Sequence, residues 1–327
     1  MGANGSPERI ELLVYGPRKP TIDNGFDDGF VLHHCEQHAD LERLAPAVAG
    51  KIRGMAVTGL VPCGSAVQAL FPKLEIISTF GVGYDHVDTG HARQHKVVVT
   101  NTPDVLTEEV ADVALGLLIA TLRDFVRADR HVRSGLWATQ NFPLSAGSLR
   151  DRKVGMVGMG RIGQAIARRL DASRVPVVYH SRRPAAGVSY RHYPDLIEMA
   201  KEADTLVIIT PGGPSTDKLV NADVLAALGP RGVVVNLARG SVVDEPALIH
   251  ALKSGVILAA GLDVFANEPH VPEELRALQN VVLLPHIGSA SVVTRDAMDQ
   301  LVVDNITAWF AGKPPLTPVP ETPVEGR

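Results

Sequence analysis

The sequence predicts an α/β protein built from two doubly wound parallel sheets, one in each of two domains. Three observations carry that expectation. Short runs rich in β-branched residues alternate with helical stretches along almost the whole chain. The alternation changes character near Asn101-Thr102-Pro103, and 327 residues suffice for two domains of ordinary size. Finally, a glycine-rich turn at residues 158–163 joins a strand directly to a helix.

Taken in order, residues 10–15, 54–58, 74–79 and 97–100 read as buried strands, since β-branched side chains cluster between turn signals. Pro103 disfavours helix in the residue before it, and one long helix is expected over 104–133. Residues 134–150 mix Gly135, Trp137, Phe142, Pro143, Leu144 and Gly147 and read as an irregular arm. Strands follow at 153–157, 175–179, 205–209, 232–237, 257–261 and 281–284, most of them separated by helical patterns, which is the signature of parallel βαβ units. A last helix over 291–310 leads into a tail carrying Pro314, Pro315, Pro318, Pro320 and Pro323, expected to be extended and exposed. The expected division is a discontinuous domain of residues 1–100 and 294–327 around a central one of residues 101–293, with a cleft between them.

Composition narrows the function classes. Apolar residues make up 45% and charged residues 21%, the balance of a folded enzyme. A net charge of -4 provides no overall positive field for nucleic acid or anionic membrane, so any anionic ligand must be held by local groups. Two cysteines, Cys35 and Cys63, cannot make a disulfide framework and suit a reducing cytosol. No apolar run approaches the ~20 residues of a membrane span. The N-terminus lacks a signal-peptide core. Gly2 and Ser6 match a loose myristoylation pattern, but a polar flexible tail is the plainer reading.

The turn Gly158-Met159-Gly160-Arg161-Ile162-Gly163 lies between a strand and a helix, the context that a dinucleotide pyrophosphate requires. Gly158 permits the turn, Gly160 the approach of the anion and Gly163 close helix–strand packing, while the helix N-terminus offers its amides. After the next strand an NAD site usually carries a carboxylate for the adenine ribose. Here the sequence is Ser181-Arg182-Arg183, with no acidic residue between Asp171 and Asp195, and Asp171 falls too early. Two guanidiniums and a hydroxyl suit a 2′-phosphate, so the cofactor is expected to be NADPH/NADP+.

Three later strand ends carry polar groups: Asn236-Leu-Ala-Arg239-Gly240, then Gly261-Leu-Asp263-Val-Phe-Ala-Asn-Glu268-Pro269, then Leu284-Pro-His286-Ile-Gly-Ser-Ala290. A cation and a proton donor beside a carbonyl that gains hydride would suit its reduction. Together with the glycine turn, these motifs resemble, in order and spacing, the D-isomer-specific 2-hydroxyacid dehydrogenase family over residues 10–312. The arginine pair, the Trp137 arm and the length resemble its glyoxylate/hydroxypyruvate reductase branch.

The resemblance implies two Rossmann-like domains that close on a small 2-oxo acid. It implies that His286 is the general acid in reduction, that Glu268 hydrogen-bonds the imidazole and favours its protonated form, and that Arg239 holds the substrate's carboxylate and carbonyl oxygens. It assigns the nicotinamide carboxamide to Asp263, the substrate carboxylate to the amides of Val82 and Gly83, and the lining of the cofactor pocket to Thr107, Pro211, Ala238 and Gly288. It implies a homodimer, in which Trp137, Phe142 or Leu144 either bounds the partner's substrate pocket or buries interface area. Glyoxylate and hydroxypyruvate are the first substrates expected, with 2-ketogluconate or a hydroxyphenylpyruvate as alternatives. A phosphoglycerate dehydrogenase and a dinucleotide-sensing corepressor are more remote.

Two features tempt without a matching partner set. His33-His34-Cys35-Glu36-Gln37-His38 looks like a metal cluster but has no second ligand group at zinc spacing, so no metal is expected. Cys63 has no assignable base and reads as packing. Asp85, His86 and Asn101 lie near the proposed substrate loop, with no role legible in sequence.

Overall fold

The computed structural model describes residues 9–59 and 61–324; the Gly2/Ser6 pattern lies outside them. The chain divides into two compact units: Met1–Leu106 with Ser291–Arg327, termed the terminal unit, and Thr107–Ala290, termed the central unit. Each is a parallel-sheet α/β layer structure of the Rossmann-like kind.

The terminal unit contains strands β1 (Ile10–Tyr15), β2 (Phe30–Cys35), β3 (Ile52–Val57), β4 (Ile76–Thr79) and β5 (Val98–Thr100), all parallel in the order β2-β1-β3-β4-β5. Leu12, Leu13, Val14 and Tyr15 are fully buried in succession, as a strand covered on both faces requires. β2 is an edge strand absent from the sequence-based expectation. Its imidazoles are taken locally: His33 bonds Glu11, His34 faces Asp23 at 3.6 Å, and His38, beyond the strand, meets the Tyr15 hydroxyl at 2.8 Å. The helix Val292–Phe310, capped by Ser291 on the Thr294 amide, packs across β3 and β4. It approaches so closely that a Cβ at Gly54 would lie 3.1 Å from the Phe310 ring.

The proline-rich tail departs from expectation. It is extended and Pro314, Pro318, Pro320 and Pro323 are exposed, but between them the segment is pinned along β5. Val319 donates to the Val99 carbonyl, the Thr322 hydroxyl accepts the Val99 amide, and both residues are buried. β5 would otherwise expose one edge, and proline suits this position because an edge segment needs only alternate amides.

The central unit contains β6 (Val154–Val157), β7 (Val177–His180), β8 (Arg191–Tyr193), β9 (Thr205–Ile208), β10 (Val233–Asn236), β11 (Ala259–Leu262) and β12 (Val281–Leu283). The order is β12-β11-β10-β9-β6-β7-β8, all parallel. Winding reverses between β6 and β9, which opens a crevice at the carboxyl ends of those two strands. The short edge strand β8 was not anticipated.

The single helix expected over 104–133 is instead two, Thr107–Arg123 and Phe125–Arg133. Asp124 between them adopts a left-handed conformation (φ 58°) that breaks the hydrogen-bond ladder, and its carboxylate pairs with Arg127 at 2.7 Å. The second helix buries none of its residues, and the arm beyond it contains only two single 3-10 turns, Leu136–Ala138 and Leu149–Asp151. Phe125, Val132, Trp137 and Leu144 are 52%, 56%, 65% and 98% exposed. No described helix is long and apolar enough to cross a membrane.

Candidate active site

At the crevice, β6 runs into Gly158, whose amide donates to the His180 carbonyl and whose φ of 106° suits glycine. A Cβ there would lie 2.9 Å from the Ile209 carbonyl oxygen, and one at Gly163 would lie 2.6 Å from the Gly158 oxygen. A Cβ at Gly160, in contrast, would meet nothing within 4 Å. Two glycines are therefore demanded by packing, and the third keeps the mouth of the cradle open. The helix Arg161–Ala172 begins there, and a helix start presents the N–H groups of its first turn, rather than carbonyls, to an anion. This is a cradle that fits a pyrophosphate.

Past the end of β7, the Ser181 hydroxyl donates to the Arg183 carbonyl at 2.6 Å and the Ser181 carbonyl meets His192 Nε2 at 2.9 Å, which shapes the turn. Arg182 and Arg183 are exposed, and neither has an ion-pair partner among the described residues. Asp171 is turned to the Tyr190 hydroxyl instead. A cationic, carboxylate-free turn at this place fits a ribose 2′-phosphate.

Three neighbouring strands, β10, β11 and β12, deliver Arg239, Glu268 and His286. Asn236, at the end of β10, folds the turn after it: its Oδ1 accepts the Ala238 amide and its Nδ2 donates to the Arg239 carbonyl, both at 3.0 Å. Gly240 then passes so close to the next loop that a Cβ would sit 1.9 Å from the Phe265 carbonyl carbon. Backbone packs on backbone there. The Arg239 and Glu268 turns are thus one block.

Glu268 spans that block. Its Oε1 accepts the Phe265 amide at 3.0 Å, and its Oε2 lies 2.8 Å from His286 Nδ1. Burial alone would raise the Glu268 pKa. The hydrogen bonds from His286 and Phe265, with the charges of His286 and Arg239, outweigh burial and hold it below the usual carboxylate range. An ionised Glu268 needs a proton on Nδ1, so Nε2 is the ring atom left to serve a ligand.

His286 itself is left-handed, with φ 55°. Its amide donates to the Asp263 carbonyl at 2.9 Å, while the two Asp263 carboxylate oxygens accept the Ile287 and Gly288 amides at 2.7 and 2.8 Å. The family resemblance implies that Asp263 binds the nicotinamide carboxamide. In the structure the residue is 2% exposed, and each of its carboxylate oxygens accepts one amide of the His286 loop. Burial raises its pKa, and the two amides offset part of that rise. The Gly288 amide is committed to the same bond.

Among the other anticipated residues, Thr107 begins its helix, Pro211 is exposed in the loop beyond β9, and Ala238 is buried with its carbonyl bonded to Arg239 Nη1 at 2.9 Å. Val82 and Gly83 lie in the terminal unit, in the loop after β4. Trp137 lies in the exposed arm. Asn236 and Gly240 were present in the motif, but their roles were not legible there, because both depend on which backbone lies opposite. Burial pushes the Cys63 thiol up to about 12, so it is no nucleophile. No group of three or more metal-ligating side chains is gathered among the described residues.

Residues 115–288 match the family described as D-isomer specific 2-hydroxyacid dehydrogenase, NAD binding domain. The chain belongs to this family. It is 44% identical over 314 residues to glyoxylate/hydroxypyruvate reductase A of Arabidopsis thaliana, covering 95% of this chain and 99% of that one. Hydroxyphenylpyruvate reductase of Plectranthus scutellarioides is also 44% identical, over 315 residues, with the same coverage. Among solved structures, an NADPH-dependent glyoxylate/hydroxypyruvate reductase from Sinorhizobium meliloti, in complex with NADP and malonate, is 52% identical with a TM-score of 0.93. That comparison covers 98% of this chain and 99% of that one.

The member of the family described here should not tolerate a methyl group at Gly240. Gly240→Ala is expected to lower the unfolding midpoint and cut activity by about a hundredfold or more, since a 1.9 Å approach forces the Arg239 and Glu268 turns apart. Thermal unfolding and steady-state kinetics on the purified variant check this.

Proposed function

We propose that this chain is an NADPH-dependent reductase that converts small 2-oxo acids, glyoxylate and hydroxypyruvate foremost, into 2-hydroxy acids, glycolate and D-glycerate. The observation that carries the reading is the 2.8 Å bond between His286 Nδ1 and Glu268, set beside Arg239 on adjoining strands of a sheet whose switch point bears the glycine cradle. Bound NADPH supplies a hydride to the carbonyl carbon. Negative charge then grows on the carbonyl oxygen, and the Arg239 guanidinium offsets it. His286 Nε2 gives its proton to that oxygen, completing the hydroxyl, and in the oxidative direction it takes the proton back. Glu268 remains ionised throughout and steadies the imidazolium. The amides of Val82 and Gly83 receive the substrate carboxylate.

The cofactor reading rests on Ser181, Arg182 and Arg183 and on the NADP-bound relative. The exposed apolar side chains Phe125, Val126 and Val132 of the helix Phe125–Arg133, with Trp137 and Leu144 of the arm, support a homodimer built on this face. Buried free thiols at Cys35 and Cys63 suit a reducing cytosol.

Oxidation of NADPH and of NADH, followed by absorbance across glyoxylate, hydroxypyruvate, 2-ketogluconate and hydroxyphenylpyruvate, tests the activity. No turnover with any of them overturns it. Replacing Arg182 or Arg183 by Ala should lower the NADPH-over-NADH preference in kcat/KM about tenfold to a hundredfold each, the worth of a charge-assisted phosphate bond.

Glu268→Gln should cut kcat by about a hundredfold. A kcat within about twofold of the wild type would remove Glu268 from this role.

Leu144→Asp should weaken self-association, measured by sedimentation. If Trp137 reaches the partner's substrate, Trp137→Ala raises KM while the protein remains dimeric; an unchanged KM leaves it an interface residue.

A further inference from the structure

The loop Phe80–Tyr84 of the terminal unit is held from one side by groups that the proposed reaction does not itself use. Thr102 donates its amide to the Gly81 carbonyl and accepts the Gly81 amide on its hydroxyl, both at 2.9 Å. Asn101 Nδ2 donates to the Val82 carbonyl at 2.8 Å. A trans peptide points its C=O and N–H in opposite directions. With the Gly81 carbonyl turned to residue 102, the Val82 N–H faces the other way; with the Val82 carbonyl turned to residue 101, so does the Gly83 N–H. Neither amide donates a hydrogen bond among the described residues. Two adjacent donors on one side of a loop make a receptor for a carboxylate.

Asn101 is in turn clamped by the C-terminal tail. Its amide donates to the Thr317 carbonyl at 3.3 Å, and its carbonyl accepts the Thr317 hydroxyl at 2.6 Å. Thr317 is gripped by Asn305, fully buried in the helix Val292–Phe310. The Asn305 Oδ1 accepts the Thr317 amide at 3.0 Å, and its Nδ2 donates to the Thr317 hydroxyl at 2.9 Å. Further along the tail, Glu321 accepts the Tyr84 hydroxyl at 3.0 Å, just past the two free amides. The arrangement uses three buried polar side chains, Asn101, Thr102 and Asn305, each hydrogen-bonded within it.

The geometry points to Asn101, braced through Thr317 by Asn305, as a positioning residue that aims the Gly83 amide at the substrate carboxylate. The inference rests on the reading that the Val82 and Gly83 amides receive that carboxylate. It assigns to the tail a part in substrate affinity as well as in edge protection.

Asn101→Ala is expected to raise KM for glyoxylate about tenfold, the effect of misaiming one hydrogen bond to a charged group, with kcat within about twofold. Oxalate binding to the enzyme–NADPH complex, measured by calorimetry, should weaken by the same factor, and NADPH affinity should not change. Thr317→Val, which removes only the bracing hydroxyl, should raise KM about threefold. A purely structural role would lower the unfolding midpoint and leave KM and oxalate affinity at wild-type values, and that result overturns the inference. Asn101→Asp, which retains the size but not the donor, gives the same discrimination should the alanine variant fail to fold.

An amide-to-ester exchange at residue 83, introduced by nonsense suppression, deletes the N–H itself. If the ester leaves KM unchanged, the carboxylate is received elsewhere and the underlying reading fails. If the ester raises KM and Asn101→Ala does not, only the positioning role fails.

Discussion

The chain turns left-handed at His286, a conformation that costs a residue bearing a Cβ about 1–2 kcal/mol, and three hydrogen bonds to Asp263 hold it there. The carboxylate responsible is almost wholly buried, so its desolvation has to be offset by the very amides it orders. Without that exchange the loop after β12 would relax to an ordinary extended path. The imidazole would then lose its alignment with Glu268. The Glu268–His286 pair, the direction of Nε2 and the proximity of Arg239 all follow from this local constraint.

Arg239 and Glu268 are coupled in a different way. Their two turns meet backbone to backbone, at Gly240 and Phe265. Asn236 and Glu268 then complete the turns with hydrogen bonds to main-chain groups. Such a site is preorganised by the chain path rather than by flexible contacts, which is what stabilising a developing charge requires.

Much of this could be read in sequence, for physical reasons that differ by element. Interior strands such as β1, β9 and β10 were legible because both faces are covered and the apolar run is continuous. The edge strands β2 and β8 carry histidine or arginine, are half covered, and so lack that signal. The break at Asp124 was hidden, since a left-handed aspartate leaves helical periodicity on both sides intact. The pairing of the tail with β5 was not legible, because proline content reports on hydrogen-bond donors and not on what the segment lies against. Within the site, Arg239, Glu268 and His286 stood out as charged or titratable groups at strand ends. Asn236, Gly240 and the bonds of Asp263 to the His286 loop did not, since each depends on a backbone brought near from elsewhere in the chain.

The 1.9 Å constraint at Gly240 has a bearing on how this scaffold can diversify. A guanidinium and a carboxylate mounted on one inflexible block cannot be retuned separately, because any shift of the first drags the second and with it the imidazole. Change in the preferred oxo acid must then accumulate on side chains outside this block, where replacement disturbs no backbone-to-backbone seam. Chemistry would be inherited whole, and selectivity would drift around it.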